Sequence, residues 1–177
     1  VYRCSGCEAL GAGRVPGDDV VAAWYGGYYT HHLEPPVPRR WSRLWPTPRG
    51  RAEMGRLRRY LAPAGTTGRL LDVGTGAGER LVEFADAGWD VLGQDPDPRA
   101  GHLAKARGID VLHCPVAELV GREGPFDLIG MTHVLEHATD PAGLLRACAA
   151  LLAPGGTLCV ISPNARSAGA LLFGRWW

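Results

Sequence analysis

From residue 69 to residue 161, short apolar segments alternate with segments of helical pattern, and this alternation restricts the fold more than any other feature of the chain. The apolar segments lie at 70–73, 89–93, 110–112, 126–131 and 157–161, and the helical segments lie at about 78–87, 97–107 and 140–152, with a weaker turn near 116–120. Strands that alternate with helices in this way are joined by right-handed crossovers and run parallel. We predict an α/β fold, namely a Rossmann-like, doubly wound and mainly parallel sheet with helices on both faces.

The first part of the chain has a different character and predicts a separate segment. Five prolines between residues 35 and 48 exclude regular structure there and indicate a semi-rigid linker. After the linker, Met54, Leu57 and Leu61 recur at helical spacing, which predicts an amphipathic helix over 49–61. We therefore divide the chain into an N-terminal segment, 1–48, and a main domain, 49–177.

Composition excludes several classes of protein. No run of about 18 apolar residues is present, and the first residues lack the layout of a signal peptide, so we expect a cytoplasmic protein without a membrane span. Eleven arginines against five acidic residues make 1–69 basic, and arginines alternate with aromatic residues between 39 and 60. That pattern occurs in nucleic-acid-binding proteins. Because the net charge of the whole chain is only +1, a solvated linker and helix face is the favoured interpretation.

A glycine-rich loop follows the first predicted strand of the main domain. Asp72, Gly74, Gly76 and Gly78 form D-x-G-x-G-x-G before a helix, so the chain turns tightly and lets a ligand reach the backbone. Asp72 would repel a pyrophosphate and attract a cationic amino group. Glu79 also stands where the dinucleotide-binding motif has its third glycine. The loop therefore favours a ligand with an amino group over a dinucleotide.

A second carboxylate, Asp95, ends the second predicted strand. A carboxylate at this place can accept hydrogen bonds from both hydroxyls of a ribose, which indicates an adenosine ligand. Asp95 could also cap the helix that begins near Pro96 to Pro98, and the two roles are compatible.

In combination, LLDVGTGAG, GQDPDP, FDLIGMTHVLEHATDP and LLAPGGTLCVISPN resemble the successive motifs of the class I S-adenosylmethionine-dependent methyltransferases of small-molecule type, over about residues 68–164. The resemblance implies transfer of a methyl group from S-adenosyl-L-methionine to a small-molecule acceptor. It implies cofactor contacts from Asp72, Gly74, Thr75, Gly76, Gly78, Asp95, Pro96, Cys114, Pro115, Val116, Met131 and His133.

The roles implied by the resemblance follow the parts of the cofactor. The glycine loop and Asp72 line the methionine portion, Asp95 holds the ribose, and 114–116 lie against the adenine. Met131, Thr132 and His133 face the sulfonium and the acceptor. If the acceptor is a hydroxyl, His133 is the candidate catalytic base; a structural role for His133 stays open.

Two metal sites are also conceivable. His133, Glu136 and His137 spell H-x-x-E-H, which on a helix would match a class of zinc peptidases. The methyltransferase resemblance accounts for the same residues and is preferred. Cys4 and Cys7 form half of a zinc site. The resemblance implies the remnant of an N-terminal zinc ribbon, with further ligands upstream of residue 1; His31 or His32 could complete the site instead.

The resemblance further implies a chain cut at both ends, with the last strands of the sheet missing. Two functional alternatives stay open, a non-catalytic adenosine-cofactor-binding domain and an NAD-dependent oxidoreductase. The expected partner is a small-molecule substrate, and the sequence does not indicate an oligomeric state.

Overall fold

The computed structural model describes residues 2–6, 10–11, 17, 20, 66–164 and 166–173. The predicted linker, the predicted helix over 49–61 and the residues Cys7, His31 and His32 lie outside the described residues. Two short strands, β1 (Tyr2–Arg3) and β2 (Leu10–Gly11), pair antiparallel near the start of the chain. None of the helices in the described part of the chain combines the length and apolar character needed to cross a bilayer.

The main domain contains a five-stranded parallel sheet, as predicted. Its strands are β3 (Arg69–Val73), β4 (Asp90–Gln94), β5 (Val111–Leu112), β6 (Phe126–Thr132) and β7 (Leu152–Ile161). They are arranged in the order β5-β4-β3-β6-β7, and every neighbouring pair runs parallel. The order reverses at β3, which is the switch point of a doubly wound sheet. The α/β prediction is therefore confirmed.

Helices cover both faces of this sheet. They are α1 (Glu79–Asp86), α2 (Pro98–Lys105), α3 (Pro141–Leu151) and a short α4 (Ala168–Phe173), and two 3₁₀ turns lie at Val116–Leu119 and Leu135–His137. Both α2 and α3 begin with proline and carry an aspartate cap, Asp97 and Asp140 respectively. The helix predicted at 140–152 extends one residue too far at each end, because Asp140 is the cap and Leu152 already belongs to β7.

Apolar side chains fill the space on each side of the sheet. On one face, Leu71 and Val73 pack with Val116 and α3. On the other face, Leu70 and Leu128 pack with the buried side of α1 and α2. Each fully buried side chain of this size stabilises the fold by roughly 1.5–3 kcal/mol. Strand β3 is thus fixed by apolar contacts from both directions.

Arg69 ties together the amino ends of the strands. Its guanidinium forms ion pairs with Asp90 at 3.0 Å and with Glu123 at 3.2 Å, and it lies over the ring of Phe126. All of these contacts lie at the edge where the strands begin, and none involves the opposite edge, where the carboxyl ends of the strands lie.

The turn after β3 requires glycine at its first position. Gly74 has a φ of +66°, and a β-carbon at this residue would collide with the side chain of Val134, which follows β6. The side chain of Val134 occupies the space that a side chain at residue 74 would fill. The loop after β3 and the loop after β6 are therefore in direct contact.

We expect Gly74→Ala to destabilise the domain by about 2–4 kcal/mol, since it adds left-handed backbone strain to a steric overlap. Gly108→Ala is the matched control. Gly108 has a φ of +78° but no atom within 4 Å of an added β-carbon, so backbone strain alone would cost about 1–2 kcal/mol there. Urea unfolding of the variants measures both values, and equal losses would contradict the proposed overlap with Val134.

Candidate functional site

The candidate site lies at the carboxyl edge of the sheet, where β3, β4 and β6 end side by side. The chain leaves β3 through the glycine loop, leaves β4 at Asp95 and leaves β6 at His133. Ligands of doubly wound sheets bind at this edge, next to the switch point. The structure thus brings together the residues that the sequence analysis placed at the ends of three separate strands.

Asp72 is a buried carboxylate in β3, only 4% exposed. One guanidinium nitrogen of Arg80, in the first turn of α1, lies 3.2 and 3.3 Å from its two oxygens. Burial raises the pKa of Asp72 above the usual 3.8; Arg80 and the Thr75 hydroxyl oppose that shift, and Asp95 adds to it. Asp72 and Arg80 border a cleft that continues between α1 and β6. The site therefore combines a negative and a positive group that are already in contact.

The amide groups of the glycine loop are used by the fold itself. Gly74 and Thr75 both donate to the carbonyl oxygen of Gln94, at 2.8 and 3.0 Å, and Gly78 donates to Thr75. Gly76 donates to the carboxylate of Asp95 at 2.9 Å. An anion would find few free donors here and two nearby carboxylates, so the loop is poorly suited to a pyrophosphate.

Asp95 is 9% exposed and holds the loop after β4 against the glycine loop. One of its oxygens accepts the Gly76 amide, and the other accepts the amide of Asp97 at 2.9 Å. Each carboxylate oxygen can accept more than one hydrogen bond, so acceptor capacity for hydroxyl groups is left. The alternative role as helix cap is wrong, because the cap of α2 is the side chain of Asp97.

The stretch 114–116 is anchored from β4. The side-chain amide of Gln94, itself 3% exposed, donates to the carbonyl oxygen of Cys114 at 2.7 Å. Pro115 and, next to Asp95, Pro96 are exposed, whereas the side chain of Val116 packs in the core. Cys114 and Pro115 are thus the solvent-accessible residues of the stretch 114–116.

Met131 is among the residues that line the cleft beside Asp72. It is 1% exposed and belongs to the core cluster beneath the site. In a strand, alternate residues point to opposite faces, and Ile129 and Met131 both pack on the α3 side. Thr132 is partly exposed and borders the cleft beside Asp72.

His133 ends β6 in an unusual backbone conformation. Its φ is +56°, a value that residues other than glycine rarely adopt, and its amide donates to Ile161 at 2.8 Å. Its ring nitrogen Nδ1 lies 3.3 Å from Glu136 Oε1, and the hydroxyl of Ser162 donates to Glu136 Oε2 at 2.8 Å. Strained conformations of this kind are concentrated at functional sites.

The zinc peptidase interpretation of 133–137 is wrong. The two histidines do not lie on one face of an α-helix, because His133 precedes a single 3₁₀ turn, Leu135–His137. Within the described residues, no three His, Cys, Asp or Glu side chains are grouped so that they could hold a metal ion. Of the predicted half site, Cys4 follows β1, whereas Cys7 lies outside the described residues.

Thr75 carries a further sign that the loop receives a ligand. Its hydroxyl oxygen is buried and has no hydrogen-bond partner of ordinary geometry, although it is near enough to Asp72 to lower the pKa of that carboxyl. A buried polar atom without a partner costs about 1–3 kcal/mol. A ligand with a polar group beside Asp72 would remove this cost.

Sequence reasoning missed three residues of this edge. It did not find Arg80 as the partner of Asp72, Gln94 as the anchor of both loops, or Ser162 as the partner of Glu136. The position of Arg80 two residues after the last glycine of the loop is a local signal. The other contacts depend on strand order, and no local pattern marks them.

The model of a family described as "Methyltransferase domain" matches residues 38–177. Among curated proteins, the chain is 38% identical over 95 residues to the ubiquinone biosynthesis O-methyltransferase of Bordetella avium (strain 197N), which covers 50% of this chain and 39% of that protein. It is 36% identical over 104 residues to the protein of the same name from Caulobacter sp. (strain K31), covering 54% and 41%. The chain thus spans about two fifths of the length of these relatives.

Solved structures show the same fold. An S-adenosylmethionine-dependent methyltransferase from Archaeoglobus fulgidus superposes with a TM-score of 0.59 at 24% identity, covering 75% of this chain and 62% of that one. The N-methyltransferase NodS from Bradyrhizobium japonicum WM9, in complex with S-adenosyl-L-homocysteine, gives 0.53 at 25% identity, covering 61% and 59%.

We expect the stability difference between Asp72→Asn and the unsubstituted chain to depend on pH. Because burial raises the pKa of Asp72, this carboxyl favours the folded state most below its usual 3.8, and that contribution is lost as the pH rises through the raised folded value. The asparagine variant should therefore gain stability relative to the unsubstituted chain as the pH rises above the usual 3.8.

Urea unfolding at several pH values measures this difference. Asp90→Asn is the matched control for the substitution itself, since Asp90 is an exposed aspartate on the adjacent strand. A difference for Asp72→Asn that shrinks with rising pH would contradict the raised pKa.

We expect His133→Gly to stabilise the domain by about 0.5–1 kcal/mol, because glycine adopts a positive φ without steric cost. His133→Ala is the control: it removes the same imidazole but keeps the backbone strain. Thermal unfolding compares the two variants, and an alanine variant as stable as the glycine variant would show that the backbone of residue 133 is not strained.

Proposed function

This chain belongs to the methyltransferase-domain family, and we propose that it transfers a methyl group from S-adenosyl-L-methionine to a small-molecule acceptor. The observation that carries the proposal is the pair of buried carboxylates, Asp72 and Asp95, beside a glycine loop whose amides at 74, 75, 76 and 78 are already bonded within the fold. This arrangement disfavours a phosphate ligand and favours one with an ammonium group and ribose hydroxyls.

The described residues fit this cofactor. Asp72 would accept hydrogen bonds from its ammonium group, and the hydroxyl of Thr75, now without a good partner, would gain one. The remaining acceptor capacity of Asp95 suits the two ribose hydroxyls. Cys114 and Pro115 would border the adenine, with Gln94 fixing the carbonyl of Cys114.

The bound cofactor would supply a methyl group made electrophilic by its sulfonium. The protein then has to align the acceptor for in-line displacement and exclude competing water. The chain contributes this alignment through three loops at one sheet edge, held together by hydrogen bonds and by the contact of Val134 with Gly74.

We further propose that the acceptor atom is a hydroxyl oxygen and that His133 is its base. The O-methyltransferases of Bordetella avium and Caulobacter sp. favour an oxygen acceptor by their names. His133 is exposed at the end of β6, and a carboxylate holds its ring. A hydroxyl is a weak nucleophile until it loses its proton, so a positioned imidazole would contribute to the rate.

Two other functions predict different binding. A non-catalytic domain would bind S-adenosylhomocysteine without methyl transfer, and an NAD-dependent oxidoreductase would bind NAD. The bonded loop amides and the two carboxylates argue against NAD. Calorimetric titration of the chain with S-adenosylhomocysteine and with NAD separates these cases, and binding of NAD alone would overturn the proposal.

We expect Asp72→Ala and Asp95→Ala each to weaken binding of S-adenosylhomocysteine by about 1.5–3 kcal/mol, the range for hydrogen bonds to a charged group. Asp90→Ala is the matched control, because Asp90 begins the same strand that Asp95 follows but lies at the opposite edge of the sheet. Isothermal titration calorimetry measures all three variants. Unchanged affinity in Asp95→Ala would remove Asp95 from the ribose site.

A further inference from the structure

We propose that Glu136 and Ser162 are positioning residues that hold the imidazole of His133 in its Nδ1–H form, with Nε2 as the nitrogen that receives the proton of the acceptor. The inference rests on the proposed function, in which His133 acts as the base. It adds two residues to the site and specifies that the proton moves from the acceptor hydroxyl to Nε2 of His133.

The chemistry of the two partners determines which nitrogen of His133 carries the proton. An ionised carboxylate accepts hydrogen bonds and donates none, so the contact of Glu136 Oε1 with Nδ1 at 3.3 Å requires a proton on Nδ1. In a neutral imidazole the proton on one nitrogen leaves the lone pair on the other. Nε2 is then the basic nitrogen.

Glu136 remains ionised at neutral pH. Partial burial acts to raise its pKa, but hydrogen bonds from its own backbone, from Ser162 and from His133, together with the charge of His137, lower the pKa of the carboxyl below its usual 4.5. Of the titratable neighbours, His133 and His137 both act on Glu136 in this direction. The acceptor-only state that the contact with Nδ1 requires is therefore maintained.

Ser162 fixes the carboxylate from the next strand. Its hydroxyl donates to Glu136 Oε2 at 2.8 Å, so the two oxygens of Glu136 have separate partners. Ser162 directly follows β7, whereas Glu136 lies in the turn after β6. The carboxylate thus bridges the carboxyl ends of two adjacent strands.

The backbone of His133 is held at the same place. Its amide donates to the carbonyl oxygen of Ile161, the residue before Ser162, at 2.8 Å, and its φ is +56°. Main chain and side chain of His133 are both tied to the end of β7. A conformation that is unfavourable by itself persists where several contacts determine it.

Stability does not account for this network. The side chains of His133 and Glu136 are 58% and 24% exposed, and pairs this open to solvent contribute little to folding. Orientation of the His133 imidazole at the carboxyl edge of the sheet, in contrast, does not require burial and accounts for the network.

In the proposed step, the O–H bond of the acceptor breaks, its proton moves to Nε2 of His133, and the electron pair stays on the oxygen. The imidazole becomes a cation that still donates its Nδ1–H to Glu136. The negative charge of Glu136 stabilises that cation, while Ser162 keeps the carboxylate in place. A carboxylate that orients a histidine in this way acts through it and does not itself take up the proton.

The first test is the protonation form of His133, measured by ¹⁵N NMR of the histidine-labelled 177-residue chain at about pH 8.5, where imidazoles are ordinarily neutral. The signal is assigned by its loss in His133→Gln. We expect Nδ1–H in the unsubstituted chain, a shift towards Nε2–H in Glu136→Ala, a smaller shift in Ser162→Ala and recovery in Ser162→Thr. Glu83→Ala, an exposed glutamate on α1, is the control and should change nothing. An Nε2–H form in the unsubstituted chain would overturn the inference.

The second test is methyl transfer from S-adenosylmethionine to catechol as a phenolic probe. Glu136→Ala should lower kcat about 10- to 100-fold with little change in the KM for S-adenosylmethionine. A purely structural role would not lower kcat selectively while the KM for S-adenosylmethionine stays the same. Equal kcat in Glu136→Ala overturns the inference alone. No binding of S-adenosylhomocysteine by the chain, with the Nδ1–H form present, overturns the proposed function instead.

Discussion

Strand β3 lies between β4 and β6 and is hydrogen-bonded in parallel to both, and the candidate site depends on this position. Parallel neighbours end at one edge, so Asp72, Asp95 and His133 lie at the same edge of the sheet although they are far apart in the chain. The hydrogen bonds from the glycine loop to Gln94 and Asp95 then join the ends of β3 and β4 directly. At the opposite edge, Arg69 holds the amino ends of the same strands.

Two features of the site are unfavourable for the fold by themselves. Asp72 is a carboxylate inside an apolar strand, and His133 has a backbone conformation that suits glycine. The fold tolerates both because strong contacts surround them. Leu70 and Leu71, at 3% and 0% exposure, fix β3 from both faces, and bonds to β7 fix His133. Locally unfavourable residues that are held in this way are typical of functional sites.

The sequence predicts the sheet well because each strand is a short apolar run between helices, and the bounds of the first four strands of the sheet agree with the structure within one residue. The largest error is at β7, which begins at Leu152 and not at Thr157. Pro154 and Gly155 are typical of a turn, and the pairing register with β6 does shift at this place; the pairing of Leu152 with Phe126 before the shift extends the strand backwards. In the site, Asp72 is recognisable from its place inside the apolar strand before the glycine loop, and Asp95 from its place at the end of the next strand. The contact of Asp95 with Gly76 and the link between Glu136 and Ser162 depend on the three-dimensional arrangement of strands, whereas Arg80 lies close to Asp72 in the chain.

The contact between Gly74 and Val134 has a consequence for how such a domain can change during evolution. The glycine loop and the loop after β6 share one steric boundary, so a larger side chain at residue 74 or residue 134 displaces the other loop. A larger residue at position 134 would therefore disturb the glycine turn at once. Variation is less restricted at exposed positions such as Pro163 and Asn164, which do not touch that boundary. The contact between residues 74 and 134 thus restricts substitutions in two loops at once, a restriction that does not extend to those exposed positions.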